Sequence, residues 1–218
     1  MKTSSKLFLG IASVILLASC TNDDKINGSG NMVTETRAVS EFTKVSSEGV
    51  FEVNITEEDT QSVEVTADNN IMPYVNTNVS SNQLGLSLKD GNYSNITLSA
   101  DIKVVDLNGI NNSGTGNINA FNVDEEGEFS VLNSGTANIT IQGESESLEV
   151  MNEGTGDFKG YDFQVNSCQI ENIGSGDIQV NCTESLDIKI TGSGNVYYKG
   201  HPSINVNISG SGKVIDAN

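Results

Sequence analysis

The sequence Gly114-Thr115-Gly116-Asn117-Ile118 is the first of six related phrases that continue into the C-terminal region. The other five begin at Gly135, Gly154, Gly174, Gly192 and Gly210, with spacings of 21, 19, 20, 18 and 18 residues between successive first glycines. A period near twenty, sustained over six copies, indicates a solenoid in which each repeat forms one coil.

Apolar residues occupy fixed positions around each phrase. Four residues after the first glycine stand Ile118, Ile139, Phe158, Ile178, Val196 and Val214. Four residues before it stand Ile110, Val131, Val150, Ile170, Ile188 and Val206. Six before it, the last five copies have Phe129, Leu148, Cys168, Leu186 and Ile204. Because alternate residues of a strand share one face, each copy predicts two short strands with inward apolar sides. The predicted fold class is therefore all-β, a right-handed parallel β-helix with 18–21 residues per coil.

Glycine and asparagine mark the corners of the predicted coils. The corner glycines are expected to adopt positive φ, a conformation that costs glycine little. Asn or Asp follows the corner in five copies, at Asn117, Asn138, Asp157, Asp177 and Asn195. A second column precedes it, at Asn112, Asn133, Asn152 and Asn172. Stacked amides can hydrogen-bond along a stack, so both columns are interpreted first as structural ladders.

The N-terminus has the pattern of an export signal. Lys2 and Lys6 precede an apolar run from Leu7 to Leu17, and Cys20 follows two small residues. The run is too short to cross a bilayer and is typical of a cleaved secretory peptide. It resembles a bacterial lipoprotein signal, which implies that Cys20 carries lipid and attaches the protein to a membrane. An ordinary secretory peptide with an incidental cysteine is the alternative.

Three segments are predicted: a signal peptide at 1–19, a flexible tether at 20–32 and a β-helical domain at 33–218. Within the tether, Asp23 and Asp24 resemble the acidic surface-export signal of Bacteroidetes lipoproteins, which implies display on the outer face of the outer membrane. A simple polar tether is the alternative. Residues 33–107 have strand-like runs with less regular spacing, and they are interpreted as irregular first coils that cap the solenoid.

The charge of the chain limits its partners. Removing residues 1–19 takes away two lysines and no acid, so the net charge of −18 becomes −20. Such acidity argues against nucleic acid and against adsorption on anionic lipid. Acidic side chains crowded on the outer surface could attract a divalent cation, but the sequence contains no calcium-loop consensus, and no metal site is predicted.

Several segments resemble one known family. They include Gly28-Ser29-Gly30-Asn31, Gly49-Val50-Phe51-Glu52-Val53 and Val63-Glu64-Val65-Thr66-Ala67-Asp68-Asn69-Asn70, together with the later Gly-Ser-Gly phrases. Over about residues 28–215 the chain resembles the head GIN domain family, also called putative auto-transporter adhesins. The resemblance implies a β-helical envelope lipoprotein of the Bacteroidetes type, and it supplies no catalytic motif.

Candidate catalytic groups are few. His201 is the single histidine and stands in a turn-like Gly-His-Pro context. Asp157 and Asp177 occupy one column of neighbouring coils, about 5 Å apart if stacked. They could pair as catalytic carboxylates or as a cation site, or replace Asn in the ladder. Cys168 and Cys182 occupy positions that face inward, and they are expected to be either buried free thiols or a disulfide. No catalytic residue, metal site or cofactor is predicted.

The leading functional hypothesis is a non-enzymatic adhesion module on the cell envelope that binds a glycan or a protein. Rows of exposed polar residues would suit a repetitive ligand: Thr140, Gln142, Glu149, Gln169, Glu171 and Gln179. A structural envelope protein without a specific ligand and a polysaccharide-active enzyme are the alternatives. No individual ligand-binding residue is predicted.

Overall fold

The computed structural model describes residues 25–218, so Cys20 and the predicted signal peptide lie outside the described residues. The strands are β1 (Ile26–Asn27), β2 (Met32–Thr36), β3 (Lys44–Ser47), β4 (Glu52–Glu57), β5 (Ser62–Asp68), β6 (Val75–Ser80), β7 (Gln83–Leu88), β8 (Tyr93–Ser94), β9 (Leu98–Val104), β10 (Gly109–Asn112), β11 (Ile118–Asn133), β12 (Ile139–Asn152), β13 (Phe158–Asn172), β14 (Ile178–Ile190), β15 (Val196–Lys199), β16 (Ser203–Ile208) and β17 (Val214–Asp216). A short 3₁₀ helix covers Met72–Tyr74.

Parallel stacking of β11 to β14 forms the body of a β-solenoid of about 5 turns. The first half of each of these strands lies in one sheet, here sheet A, which continues through β4, β9, β5 and β2 on one side and β15 and β17 on the other. The second half lies in sheet B, which continues through β10, β3, β7 and β6 and ends at β16. This arrangement confirms the predicted all-β solenoid.

The predicted register of the core is confirmed in the central coils. Ile118, Ile139, Phe158, Ile178 and Val196 are direct partners on successive strands, and all are at most 1% exposed. On sheet B the buried partners are Val131, Val150, Ile170 and Ile188. The prediction is wrong for Val206, which keeps the register but is 43% exposed. Its strand, β16, is the outermost of sheet B, so no coil among the described residues covers it.

The irregular first coils form the predicted cap. Here the strands turn antiparallel: β5 pairs with both β2 and β9, and β6 pairs with β7. The buried Asp68 carboxylate accepts hydrogen bonds from the backbone N–H groups of Gly30 (2.6 Å) and Thr97 (2.9 Å). Ser29 contacts Asn69 and Asn70, so two of the motifs that carry the family resemblance meet in space.

Part of the predicted tether, which extends to residue 32, is paired with the rest of the chain. Ile26–Asn27 pair with Tyr93–Ser94 as strand β1. Gly30 donates its backbone N–H to the Asp68 carboxylate, and we call this contact the clasp. The members of the buried hydrophobic core extend from Phe42 to Val196.

The corner glycines are needed for a different reason from the one expected. Positive φ occurs at Gly30, Gly49, Gly143 and Gly200, not at the first glycine of any phrase. Instead, successive corners stack so closely that a Cβ on Gly154 would clash with the carbonyl oxygen of Gly135. A clash of this kind recurs at each later phrase. The corner positions therefore require glycine because a side chain would not fit between the stacked backbones, and not because the backbone there is left-handed.

The part of the chain that the structure describes holds no helical segment with the length and apolarity that a bilayer crossing requires.

Candidate functional site

Two columns on the outward face of sheet A carry no acidic side chain over five consecutive coils. These columns lie five and seven positions after the first glycine of each phrase. Their residues are Asn119, Phe121, Thr140, Gln142, Lys159, Tyr161, Gln179, Asn181, Tyr197 and Lys199. In a chain with a net charge of −18, ten such positions without a carboxylate are chemically distinct. One exposed acid, Asp162, lies beside them as the register partner of Gln142.

Two tyrosines and two lysines lie at one end of this face. We call this region the tyrosine patch, and it consists of Lys159, Tyr161, Gln179, Asn181, Tyr197 and Lys199. Register places Lys159, Gln179 and Tyr197 side by side on adjacent strands, and Asn181 beside Lys199. All six are partly or fully accessible.

Within the tyrosine patch, the long Lys199 side chain reaches across Asn181 to Tyr161. Its Nζ atom lies 4.5 Å from the centroid of the Tyr161 ring, within the range of a cation–π contact. Burial, and to a lesser extent the neighbouring Tyr197, raise the pKa of Tyr161. The Tyr161 hydroxyl therefore stays protonated at neutral pH and can donate a hydrogen bond as well as accept one.

The outward face of sheet B is different. Its positions include Glu149, Glu171 and Asp187, and Lys189 is held by Glu171 at 2.7 Å. The polar rows named from the sequence therefore separate: Thr140, Gln142 and Gln179 lie on sheet A, whereas Glu149, Gln169 and Glu171 lie on sheet B. No single ligand can contact both sets through one flat surface.

The Asn column that precedes the corner is a buried ladder, as expected. The Nδ2 group of Asn112 donates to Oδ1 of Asn133 at 2.8 Å, and Asn152 donates likewise to Asn172 at 3.3 Å. All four side chains are buried. Their Nδ2 groups donate to one another or to nearby corner carbonyls, so this column maintains the fold. The Oδ1 atom of Asn152 is the acceptor in this column that has no partner among the described residues.

Asp157 and Asp177 belong to the second ladder. The Asp157 carboxylate accepts the backbone N–H of Asp177 at 2.9 Å, and the Asp177 carboxylate accepts that of Asn195 at 2.7 Å. Asn138 accepts the backbone N–H of Asp157 in the same way at 3.0 Å. Carboxylate and amide oxygens in this column therefore accept the same backbone N–H of the next coil. This equivalence supports the structural interpretation of the two aspartates.

Changing both aspartates to asparagine is therefore expected to leave the fold intact. The Asp157→Asn, Asp177→Asn variant keeps an acceptor oxygen for each N–H, so its unfolding free energy should change by less than about 1 kcal/mol. The alanine pair removes both acceptors and should cost about 1 kcal/mol or more per site. Urea unfolding of the two variants makes the comparison. Equal losses for both would contradict the ladder interpretation.

The remaining candidate groups are scattered. His201 is exposed, far along the chain from any nucleophile in a matching motif. Cys168 and Cys182 are free and buried, which resolves the disulfide alternative in favour of thiols. A hydrogen bond shared with Cys182, followed by burial, raises the pKa of Cys168, so this thiol stays protonated and unreactive at neutral pH.

Two of the depressions on the surface differ clearly in their lining. One, of about 460 Å³, lies at the corner between the sheets and is lined mainly by acids, including Asp124, Glu126, Glu144 and Glu146. Among residues 25–218, no group of three or more His, Cys, Asp or Glu side chains is arranged to hold a metal ion. The other, of about 570 Å³, lies near the capped end and is lined by Val50, Leu88, Tyr93 and Ile96, among others.

Only Gln179 of the tyrosine patch was named from the sequence, because the exposed rows were chosen for polar side chains and combined positions from both sheets. The sequence does contain a signal for the patch. From Asn119 to Lys199, the residues five and seven positions after each first glycine, which face outward, are all uncharged or basic. Tyr161 and Lys199 even share one of these columns, two coils apart.

Comparison with solved structures supports the fold. A putative adhesin from Bacteroides fragilis superimposes with a TM-score of 0.70 at 23% identity, covering 88% of this chain and 99% of that one. Putative adhesins from Parabacteroides merdae and Parabacteroides distasonis each give a TM-score of 0.54 at 23% identity, covering 89% of this chain and 100% of theirs. No curated protein matches the chain.

The sequence itself carries the family assignment. The model described as "Putative auto-transporter adhesin, head GIN domain" matches residues 41–202, which is most of the chain and includes five of the six glycine phrases. The resemblance noted from the motifs is thereby confirmed, and the chain belongs to the head GIN domain family of putative auto-transporter adhesins.

Proposed function

We propose that this protein is an envelope lipoprotein that adheres to a glycan through its tyrosine patch, without catalysis. The observation that carries the proposal is the pair of acid-free columns on the outward face of sheet A, which bear two accessible tyrosines among amide side chains. Membership of an adhesin-type family agrees with a binding role at the surface or envelope.

The chemistry of the tyrosine patch suits an uncharged sugar. Aromatic rings present flat apolar area for the C–H faces of a pyranose ring. The amides of Gln179 and Asn181 offer both donors and acceptors to sugar hydroxyls. The strongly acidic remainder of the protein would repel a polyanionic chain, which favours a neutral glycan. Rows of equivalent positions about 4.8 Å apart could engage several sugar units at once.

Anchoring would leave the tyrosine patch accessible. We propose that lipid on Cys20 holds the protein in the outer membrane, with Asp23 and Asp24 directing it to the cell surface. The clasped end, which contains β1 and β2, would then face the membrane, and so would the depression around Tyr93. The tyrosine patch lies near the other end of sheet A. Metabolic labelling with a fatty-acid analogue tests the anchor, since an unlabelled protein would rule it out.

Glycan-array screening of the chain beginning at Thr21, followed by titration of the best neutral hit, tests the ligand. Tyr161→Ala and Tyr197→Ala are each expected to weaken binding about tenfold, or about 1.4 kcal/mol, through loss of ring stacking. Salt should change the affinity little, because the contacts are uncharged.

Met151→Ala is the matched control, since Met151 lies on the outward face of sheet B. Its affinity should equal that of the unaltered chain. Absence of any glycan ligand would favour the structural alternative. Binding that survives both tyrosine substitutions would place the site elsewhere, and turnover of the glycan would favour an enzyme.

A further inference from the structure

The end of the solenoid opposite the cap exposes core residues. Ile204, Val206 and Ile208 of β16 are 39–43% exposed, whereas their register partners Leu186, Ile188 and Ile190 are at most 3% exposed. In the described residues, β16 pairs only with β14, and β17 pairs only with β15. Both strands therefore present a free edge beside apolar side chains that point toward the solenoid axis.

Strand β16 also lacks the usual protection of a sheet edge. Natural edge strands carry charged residues, prolines or bulges that prevent pairing with another chain. β16 reads Ser-Ile-Asn-Val-Asn-Ile, with no charge and no proline, over six residues. At the capped end, β2 contains Glu35, and β6 is uncharged but keeps its first apolar residue, Val75, buried.

Charge singles out the same end. Of the 29 acidic residues, Asp216 is the only one that follows Asp187 in the sequence. Lys199 and Lys213 lie in the same C-terminal segment. Two copies approaching through sheet B or through the acidic corner would bring many carboxylates together, whereas this end is close to neutral and does not repel its own copy.

We propose that the exposed end of the solenoid binds a second copy of this chain, end to end. The same surface meets on both copies, related by a two-fold axis that is perpendicular to sheet B, and so to both the solenoid axis and β16. This operation reverses strand direction, so β16 of one copy pairs antiparallel with β16 of the other. The interdigitated Ile204, Val206 and Ile208 side chains continue the core across the junction.

The size of the junction sets its strength. A six-residue strand is about 20 Å long and facing sheets are about 10 Å apart, so each copy offers only a few hundred Å². A stable complex buries about 800 Å² per partner. The dimer is therefore weak, and it forms at high local concentration, such as that of proteins crowded on a surface.

Analytical ultracentrifugation of the chain beginning at Thr21, at concentrations up to about 1 mM, tests the proposal. The expected result is a reversible monomer–dimer equilibrium with no larger species, because a two-fold contact closes on itself. Val206→Glu should remain monomeric over the same range, since it places a charge at the centre of the apolar end. Gln169→Glu adds the same charge on sheet B and should dimerise normally.

A symmetric contact is distinguished from head-to-tail stacking by cross-linking. Cys168 and Cys182 are buried, so Asn207→Cys supplies one accessible thiol on β16. A short bis-maleimide should join two copies of this variant through the introduced thiol and yield covalent dimers. A monomer at every concentration, dimerisation of Val206→Glu, or open-ended oligomers in which the introduced thiols do not cross-link would each overturn the proposal. Tyr161→Ala should dimerise normally, which separates this test from that of glycan binding.

Discussion

Replacing Ile178 with aspartate is expected to unfold the central coils. Ile178 is fully buried and stacks directly between Phe158 and Val196 on sheet A. The substitution removes a packed aliphatic side chain and places a carboxylate where no described cation can pair with it. Burial of an unpaired charge is among the most destabilising single changes, so the unfolding free energy should fall by about 4 kcal/mol or more.

Gln179→Asp is the matched control for this prediction. Gln179 is the next residue of the same strand, but its side chain points outward into the tyrosine patch. The same new charge should therefore change the unfolding free energy by no more than about 0.5 kcal/mol. Urea unfolding followed by far-ultraviolet circular dichroism measures both variants. Comparable stability of the two would mean that Ile178 does not face the core.

The second large effect is expected at a corner glycine. Gly154→Ala adds one methyl group, but that methyl group would overlap the carbonyl oxygen of Gly135 in the preceding coil. The same carbonyl accepts the backbone N–H of Thr155 at 3.1 Å, so moving the coils apart also weakens a hydrogen bond. Because backbone atoms cannot rotate away as a side chain can, the clash should lower the unfolding free energy by about 3 kcal/mol.

Gly127→Ala provides the comparison for Gly154→Ala. Its added methyl group would meet only the end of the flexible Glu125 side chain, at 3.1 Å. Thermal unfolding should therefore show a large decrease in midpoint for the Gly154 variant and little change for the Gly127 variant. If alanine were tolerated equally at both positions, the corners would not be in backbone contact.

These residues also show which parts of the structure could be predicted from the sequence. The burial of Ile178 follows from periodicity, because the residues above and below it are its counterparts in neighbouring repeats. The exposure of Val206 does not, because it depends on what stacks beyond its own repeat. The prediction for the corner glycines is wrong for the same reason: Gly154 is limited by Gly135, nineteen residues earlier, and not by its own φ.

The candidate site was harder to predict than the fold. Tyr161 and Tyr197 come from different columns of different repeats, and the stacking of successive coils brings them together, with Lys199 over the Tyr161 ring. The clasp of Asp68 onto Gly30 joins segments 38 residues apart outside the periodic region, so repeat spacing gave no sign of it. Chemistry that lies on the outward positions of a solenoid is free to vary from coil to coil, and periodicity cannot reveal it.

The sequence separation between paired strands has a consequence for the order of folding. From β11 to β17, each paired residue has its partner 17–21 positions away, so coils can add to one another at low contact order. In contrast, Val45 of β3 pairs with Ile110 of β10, and Val53 of β4 with Ile118 of β11, each 65 positions away. We expect the C-terminal coils to gain amide protection first in pulse-labelled hydrogen exchange. The N-terminal cap then folds last, when its strands pair with the edge of coils that have already formed.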